Sequence, residues 1–87
     1  MADLHLPTTL LPLFSGLPRT IDLDATTVDE AITCLDERWP GLRDRLCEPG
    51  PRLRRHINVY VDRERAGLDT PLAAGSRVDV IAAISGG

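Results

Sequence analysis

Thr27-Val28-Asp29-Glu30-Ala31-Ile32-Thr33-Cys34-Leu35-Asp36-Glu37-Arg38-Trp39 carries the one long helical period in this chain. Val28, Ala31, Ile32, Leu35 and Trp39 fall at i, i+3, i+4, i+7 and i+11, which on a 3.6-residue helix makes one apolar stripe. Thr27 with Glu30 fits a capping box, in which the two side chains satisfy backbone donors that the first helical turn leaves open. Asp29 and Glu30 suit the positive end of the helix dipole. Pro40-Gly41 stops the helix, so the pattern predicts a helix over 27–39.

On both sides of this segment the period is two, the repeat of a half-buried strand. Asp3-Leu4-His5-Leu6 reads as a short strand with Leu4 and Leu6 inward. Arg19 to Asp24 reads as a second, with Ile21 and Leu23 inward, and the two form a hairpin. His56 to Asp62 is the clearest strand: Ile57, Val59 and Val61 point one way, His56, Asn58 and Tyr60 the other. Arg77 to Ile84 is the last, with Val78, Val80 and Ala82 on one face and Arg77, Asp79 and Ile81 on the other.

Between the first two strands, residues 7–18 hold three prolines and one glycine. Leu10, Leu11, Leu13 and Phe14 there include residues that cover one end of the core. A shorter helical piece is expected over Leu42 to Leu46, closed by Pro49-Gly50-Pro51. Arg63 to Leu68 reads as a turn leading into a brief edge strand, and Thr70 to Gly75 as a turn or a single helical turn. One amphipathic helix and one apolar sheet face give an α+β fold, a mixed four- to five-stranded sheet with the helix packed across it. Residues 1–84 form the single domain and 85–87 a flexible tail. In so small a domain burial and chain entropy nearly cancel, so loss of Ile32, Val59 or Val80 should be severe.

With 87 residues and a net charge of −3, the chain does not read as a general nucleic-acid binder. Aromatic content of 3% leaves little for base stacking. The N-terminal segment is broken by Pro7 and Pro12 and reads as neither a signal peptide nor a membrane span, so the expected location is the cytoplasm. Cys34 and Cys47 supply no disulfide framework, and with His5 and His56 they show no recognisable metal-ligand spacing, so no metal is expected. All ten basic residues are arginine. A chain without lysine cannot receive an isopeptide bond on its own side chains.

The sequence closes on Gly86-Gly87 after an apolar run. Glycine leaves no side chain around the carboxylate and lets the backbone approach a partner closely. A tail of that kind fits a narrow slot in another enzyme.

Two stretches carry a resemblance: RRHINVYVDRERA, Arg54 to Ala66, and LAAGSRVDVIAAISGG, Leu72 to Gly87. They resemble the prokaryotic sulfur carriers of the MoaD/ThiS type within the ubiquitin-like β-grasp group. That group includes the molybdopterin synthase small subunit, the thiamine-pathway carrier and the carrier used in cysteine synthesis. Length and the arginine-rich lead into Asn58-Val59-Tyr60-Val61 look most like the last. Ser76, Asp62, Ala82 and Ser85 stand where those families often have Asp, Asn, Pro and Ala. These departures bear on the pathway and the partner, while Gly86 and Gly87 are retained.

The resemblance implies a β-grasp fold and a protein cosubstrate rather than an enzyme. An E1-like adenylating enzyme would use ATP to activate the Gly87 carboxylate. A sulfur nucleophile would then leave a thiocarboxylate for a sulfur-accepting biosynthetic enzyme. No bound cofactor is expected, and the default is a monomer in transient complexes. Gly86 gives the tail its slim profile, and Ile84 and Ser85 set its exit from the sheet. Docking is expected on the sheet face away from the helix, through Tyr60 and Ile81 with Asn58 and Asp79 near them. Arg52, Arg54 and Arg55, with Arg43 and Arg45 upstream, are read as a solvated turn, with a contact for an acidic partner groove as the alternative. His56 is read as a strand-edge surface residue. Two competing functions use the same sequence: a protein modifier forming isopeptide bonds through Gly87, and a β-grasp interaction domain whose tail does nothing.

Overall fold

A computed structural model of the chain describes residues 1–83. Strand β1 (Ala2–His5) runs antiparallel to β2 (Thr20–Leu23), with Leu4 opposite Ile21. The connection between them holds a 3-10 helix, Thr8–Leu13. Next come α1 (Val28–Arg38) and α2 (Leu42–Leu46), then two-residue strands β3 (Cys47–Glu48) and β4 (Arg52–Leu53), which pair with each other. Strands β5 (Ile57–Val61), β6 (Glu64–Ala66) and β7 (Arg77–Ala82) complete the chain. The main sheet has the order β2-β1-β7-β5-β6, with β1 and β7 parallel and every other neighbour antiparallel.

Alternation decides which side is core. Ala2, Leu4, Leu23, Ile57, Val59, Val78 and Val80 are buried on one face, against Val28, Ala31, Ile32 and Leu35 of α1. Ile32, Val59 and Val80, singled out from the sequence, all lie in this core. Leu10 is buried and covers one end of it, but Leu13 is 50% exposed, because the 3-10 turn has a solvent side.

The helix start differs in one detail from the expected box. Thr27 Oγ1 accepts from the Glu30 amide at 3.1 Å, as expected. The Glu30 carboxylate, however, accepts from the amide of Thr26, at 3.1 Å, and from its hydroxyl. Thr27 itself is held in a bridge with Pro71. The open amides of Val28 and Asp29 donate to the carbonyls of Thr70 and Leu68, so the 67–72 segment crosses the helix N-terminus and closes it. At the other end Asp36 Oδ1 accepts from the amides of Gly41 and Arg43 and orients α2. The sequence reading missed the β3–β4 pair: two residues per strand give too short an alternation to register, and Pro49-Gly50-Pro51 reads only as a stop.

The β5–β6 turn is the tightest in the fold. Asp62 and Arg63 have φ of +50° and +74°, the pair of left-handed residues that a two-residue hairpin demands. Asp62 is fixed there because its amide donates to the Arg77 carbonyl and its Oδ1 accepts from the Arg77 amide at 2.9 Å.

Candidate docking face and tail exit

The face of the sheet opposite α1 follows from register. Asn58 lies opposite Ile81 and Tyr60 opposite Asp79 across β5 and β7. His5 lies beside Asp79 and Asp3 beside Arg77 across β1 and β7, and Arg65 of β6 lies opposite Tyr60. Tyr60, Ile81, Asn58 and Asp79 thus share one surface, as strand parity predicts. Ile81 is 48% exposed, while Tyr60 and Asn58 are half-buried by their neighbours.

Two side-chain pairs lie near Ile81. Arg77 grips Asp79 bidentately, Nε to Oδ2 at 3.0 Å and Nη2 to Oδ1 at 3.1 Å. Hydrogen bonding to Asp79, and that carboxylate's charge, hold the Arg77 guanidinium more firmly protonated than usual. His5 Nε2 meets Asp3 Oδ2 at 2.8 Å. An open cleft flanks Ile81, lined by His5, Thr8, Arg19 and Asp79 among others. The result is an exposed aliphatic spot beside two local side-chain pairs, with Arg19 and Arg65 in no ion pair among the described residues. Such a surface suits a partner's apolar contact better than a free ion. Asp3 and His5 were not named for this face from the sequence. Their own alternation shows them pointing outward, but their place beside Arg77 and Asp79 depends on strand order.

Strand β7 delivers the chain to the rim of this face. Ile57 pairs with Ala82, and the Ala83 amide donates to the His56 carbonyl at 2.7 Å. That bond fixes where residues 84–87 begin. Ile84, Ser85, Gly86 and Gly87 themselves lie outside the described residues.

Neither cysteine belongs to this face. Cys34 is half-buried on α1, and Cys47 is buried at the end of α2. Burial pushes the Cys47 thiol up from its ordinary 9.0, against the opposing pull of Arg43, whose Nη1 lies 4.0 Å from Sγ. Among the described residues no three His, Cys, Asp or Glu side chains stand placed to hold a metal ion. None of the described helices is long and apolar enough to cross a membrane.

A five-stranded mixed sheet with parallel central strands, clasping one main helix, defines a ubiquitin-like β-grasp protein. The chain belongs to the ThiS family, whose model matches residues 13–87. It is 31% identical over 88 residues to the sulfur carrier protein CysO of Mycobacterium tuberculosis, with 94% of each chain covered. Its fold is similar to a chain in the solved BexX/CysO complex of Amycolatopsis orientalis, with a TM-score of 0.87, 28% identity and the whole of both chains covered. It is also similar to SAMP1 of Haloferax volcanii, with a TM-score of 0.76 and 31% identity over 99% of this chain and 98% of that one. Family and relatives together give the function class, a sulfur carrier protein.

Proposed function

We propose that the Gly87 carboxylate is the atom group that carries the sulfur. An E1-like enzyme adenylates it with ATP and releases pyrophosphate. A hydrosulfide equivalent then displaces AMP: the carbonyl carbon loses its bond to the phosphate oxygen and gains one to sulfur. The thiocarboxylate passes its sulfur to an acceptor bound on a biosynthetic enzyme. Likeness to CysO favours the cysteine-type pathway over the molybdopterin and thiamine types. The protein is a cosubstrate in each step, and the need for ATP and an adenylating enzyme puts its action in the cytoplasm.

One observation carries this reading: the family match runs through residue 87, so it includes Gly86 and Gly87. The geometry supports it, because the last described residue emerges beside the face that holds Ile81, Tyr60 and Asn58. Docking on that face would aim the tail into the partner, with Ile84 and Ser85 setting its direction and Gly86 its slimness. The test is intact mass after incubation with ATP, an activating enzyme and sulfide. The expected product is heavier by the difference between one sulfur and one oxygen. An unchanged mass, or equal sulfur uptake by a chain lacking Gly87, would refute the assignment.

Likeness to SAMP1 favours a second reading, conjugation of Gly87 to lysines of other proteins. The chain has no lysine of its own, so such adducts would carry single copies, not chains linked through its side chains. Higher-mass covalent adducts in cells would support it.

A further inference from the structure

Residues 43–56 hold five of the ten arginines and two of the thirteen acidic residues, a formal +3 in a chain whose total is −3. The structure sorts these arginines into two kinds. Arg43 is neutralised by Asp29 at 2.9 Å and Arg52 by Glu48 at 2.9 Å. Among the described residues, Arg45, Arg54 and Arg55 have no carboxylate within 4.0 Å. Arg54 is nevertheless fixed: its amide donates to the Leu46 carbonyl and its Nε to the Asp44 carbonyl. Arg45, Arg54 and His56 line one open depression together with Asp44, with Arg55 in the turn between Arg54 and His56, so the arginines outnumber the single carboxylate there. Guanidiniums grouped around one depression, with no ion pair among the described residues, repel one another and weaken the fold slightly, an effect that Asp44 in the same depression reduces.

Their position is informative. The Ala83 amide is bonded to the His56 carbonyl, so the last described residue lies at the edge of this cluster, and residues 84–87 follow it in sequence. Four residues span at most about 14 Å when fully extended. Any protein whose active centre takes the Gly87 carboxylate therefore has its mouth pressed close to Arg45, Arg54 and Arg55. We infer that this cluster is a docking surface for an acidic lip around the tail-binding site of the partner. The identity of the partner rests on the carrier reading above; the sign of its surface rests on the cluster. The two surfaces then divide the work. The sheet face, where Arg77 pairs with Asp79 and His5 with Asp3 near Ile81, supplies apolar contact. The unpaired arginines steer the encounter and raise the association rate, an effect that salt screens. The net negative charge of the whole chain disfavours nucleic acid as the occupant.

Arg45 and Arg55 are exposed and donate no side-chain hydrogen bond among the described residues, so reversing them leaves the fold intact. Arg63, in the turn at the opposite end of β5, is the like-charge control. The first measurement is an NMR titration with a ten-residue glutamate peptide. The expected shifts are saturable, fall on the amides of residues 45, 54–56 and 83, and weaken at least about tenfold in the double variant R45E/R55E but less than about twofold in R63E. Shifts centred elsewhere, equal loss in R63E, or tighter binding of duplex DNA of equal charge would overturn the inference. So would movement of the Arg54 and His56 signals on deleting Gly86-Gly87, which would place the chain's own tail on the cluster. The second measurement is the rate of activation by an adenylating enzyme. R45E/R55E should lower kcat/KM about tenfold at low salt, leave kcat within about twofold and flatten the salt dependence. An unchanged kcat/KM would overturn the docking role. If wild-type protein is not activated at all, the carrier reading fails, while the peptide titration still decides the cluster.

Discussion

Replacing Ile81 by alanine separates a docking face from an ordinary wet surface. Burying an isoleucine fully contributes about 1.5–3 kcal/mol. Ile81 is 48% exposed in the free protein, so a partner can cover only the remaining half. The expected loss is about 0.7–1.5 kcal/mol, roughly 3- to 12-fold in the carrier KM of the activating enzyme, with kcat little changed. Stability is a weak confounder, since the strand-propensity scale spans about 1 kcal/mol. Leu13 provides the comparison, because it is equally exposed at 50% but sits on the 3-10 turn rather than the sheet. If general surface apolarity drives binding, Leu13→Ala and Ile81→Ala raise KM alike. If the sheet face docks, only Ile81→Ala does. The assay is steady-state pyrophosphate release with the carrier as varied substrate. Equal effects, or a KM for Ile81→Ala within about 1.5-fold of wild type, would sink the docking assignment.

Other consequences are as specific. Thr27→Ala removes the acceptor of the Glu30 amide and should cost about 1 kcal/mol, lowering Tm by roughly 4–8 °C, while Thr27→Ser stays near wild type. Ile32→Ala opens a cavity under the sheet and should cost about 2–5 kcal/mol in urea unfolding, a large share of what a domain this size has. Arg63→Gly relieves a left-handed arginine and should stabilise by up to about 1 kcal/mol, with Arg63→Ile moving the other way. Cys47 is protonated more firmly when folded, so its contribution is complete below pH 9.0 and declines as pH rises from there toward the raised folded value. Denaturation midpoints measured from pH 8 upward should fall less in Cys47→Ala, and in the native protein a thiol reagent should modify Cys34 before Cys47.

The helix and the long strands were legible because each repeats its period several times. Val28 to Leu35 shows the helical stripe, and Ile57 to Val61 shows strict alternation, so both their faces and their inward residues follow from sequence alone. Short elements escape that logic. Cys47–Glu48 and Arg52–Leu53 pair only because α2 and the Pro49-Gly50-Pro51 turn bring them together, and two residues cannot declare a period. Glu30 illustrates a second limit: the box pattern correctly placed its carboxylate near the helix start. The partner is nevertheless Thr26, in a segment bound to a stretch 44 positions along the chain, where Thr27 bridges Pro71, and the local pattern carries no sign of that contact.

The proposed docking face was half legible for a related reason. Parity within a strand puts Tyr60 with Asn58 and Arg77 with Asp79 and Ile81, and that much needs no tertiary structure. What surrounds them depends on a parallel pairing between the first and last strands of the sheet. That pairing sets His5 beside Asp79 and Asp3 beside Arg77, so two pairs made within single strands, Arg77 with Asp79 and His5 with Asp3, come to lie side by side near Ile81. The same reasoning gives the arginine turn a different character. Arg54 and Arg55 are neighbours in sequence, but Arg45 joins them through the bonds from Arg54 to Leu46 and Asp44, and the cluster's place beside the last described residue comes from one long-range hydrogen bond, Ala83 to His56. Local sequence thus supplies the chemistry of each patch, and the sheet supplies the place of each patch relative to Ala83, the last described residue.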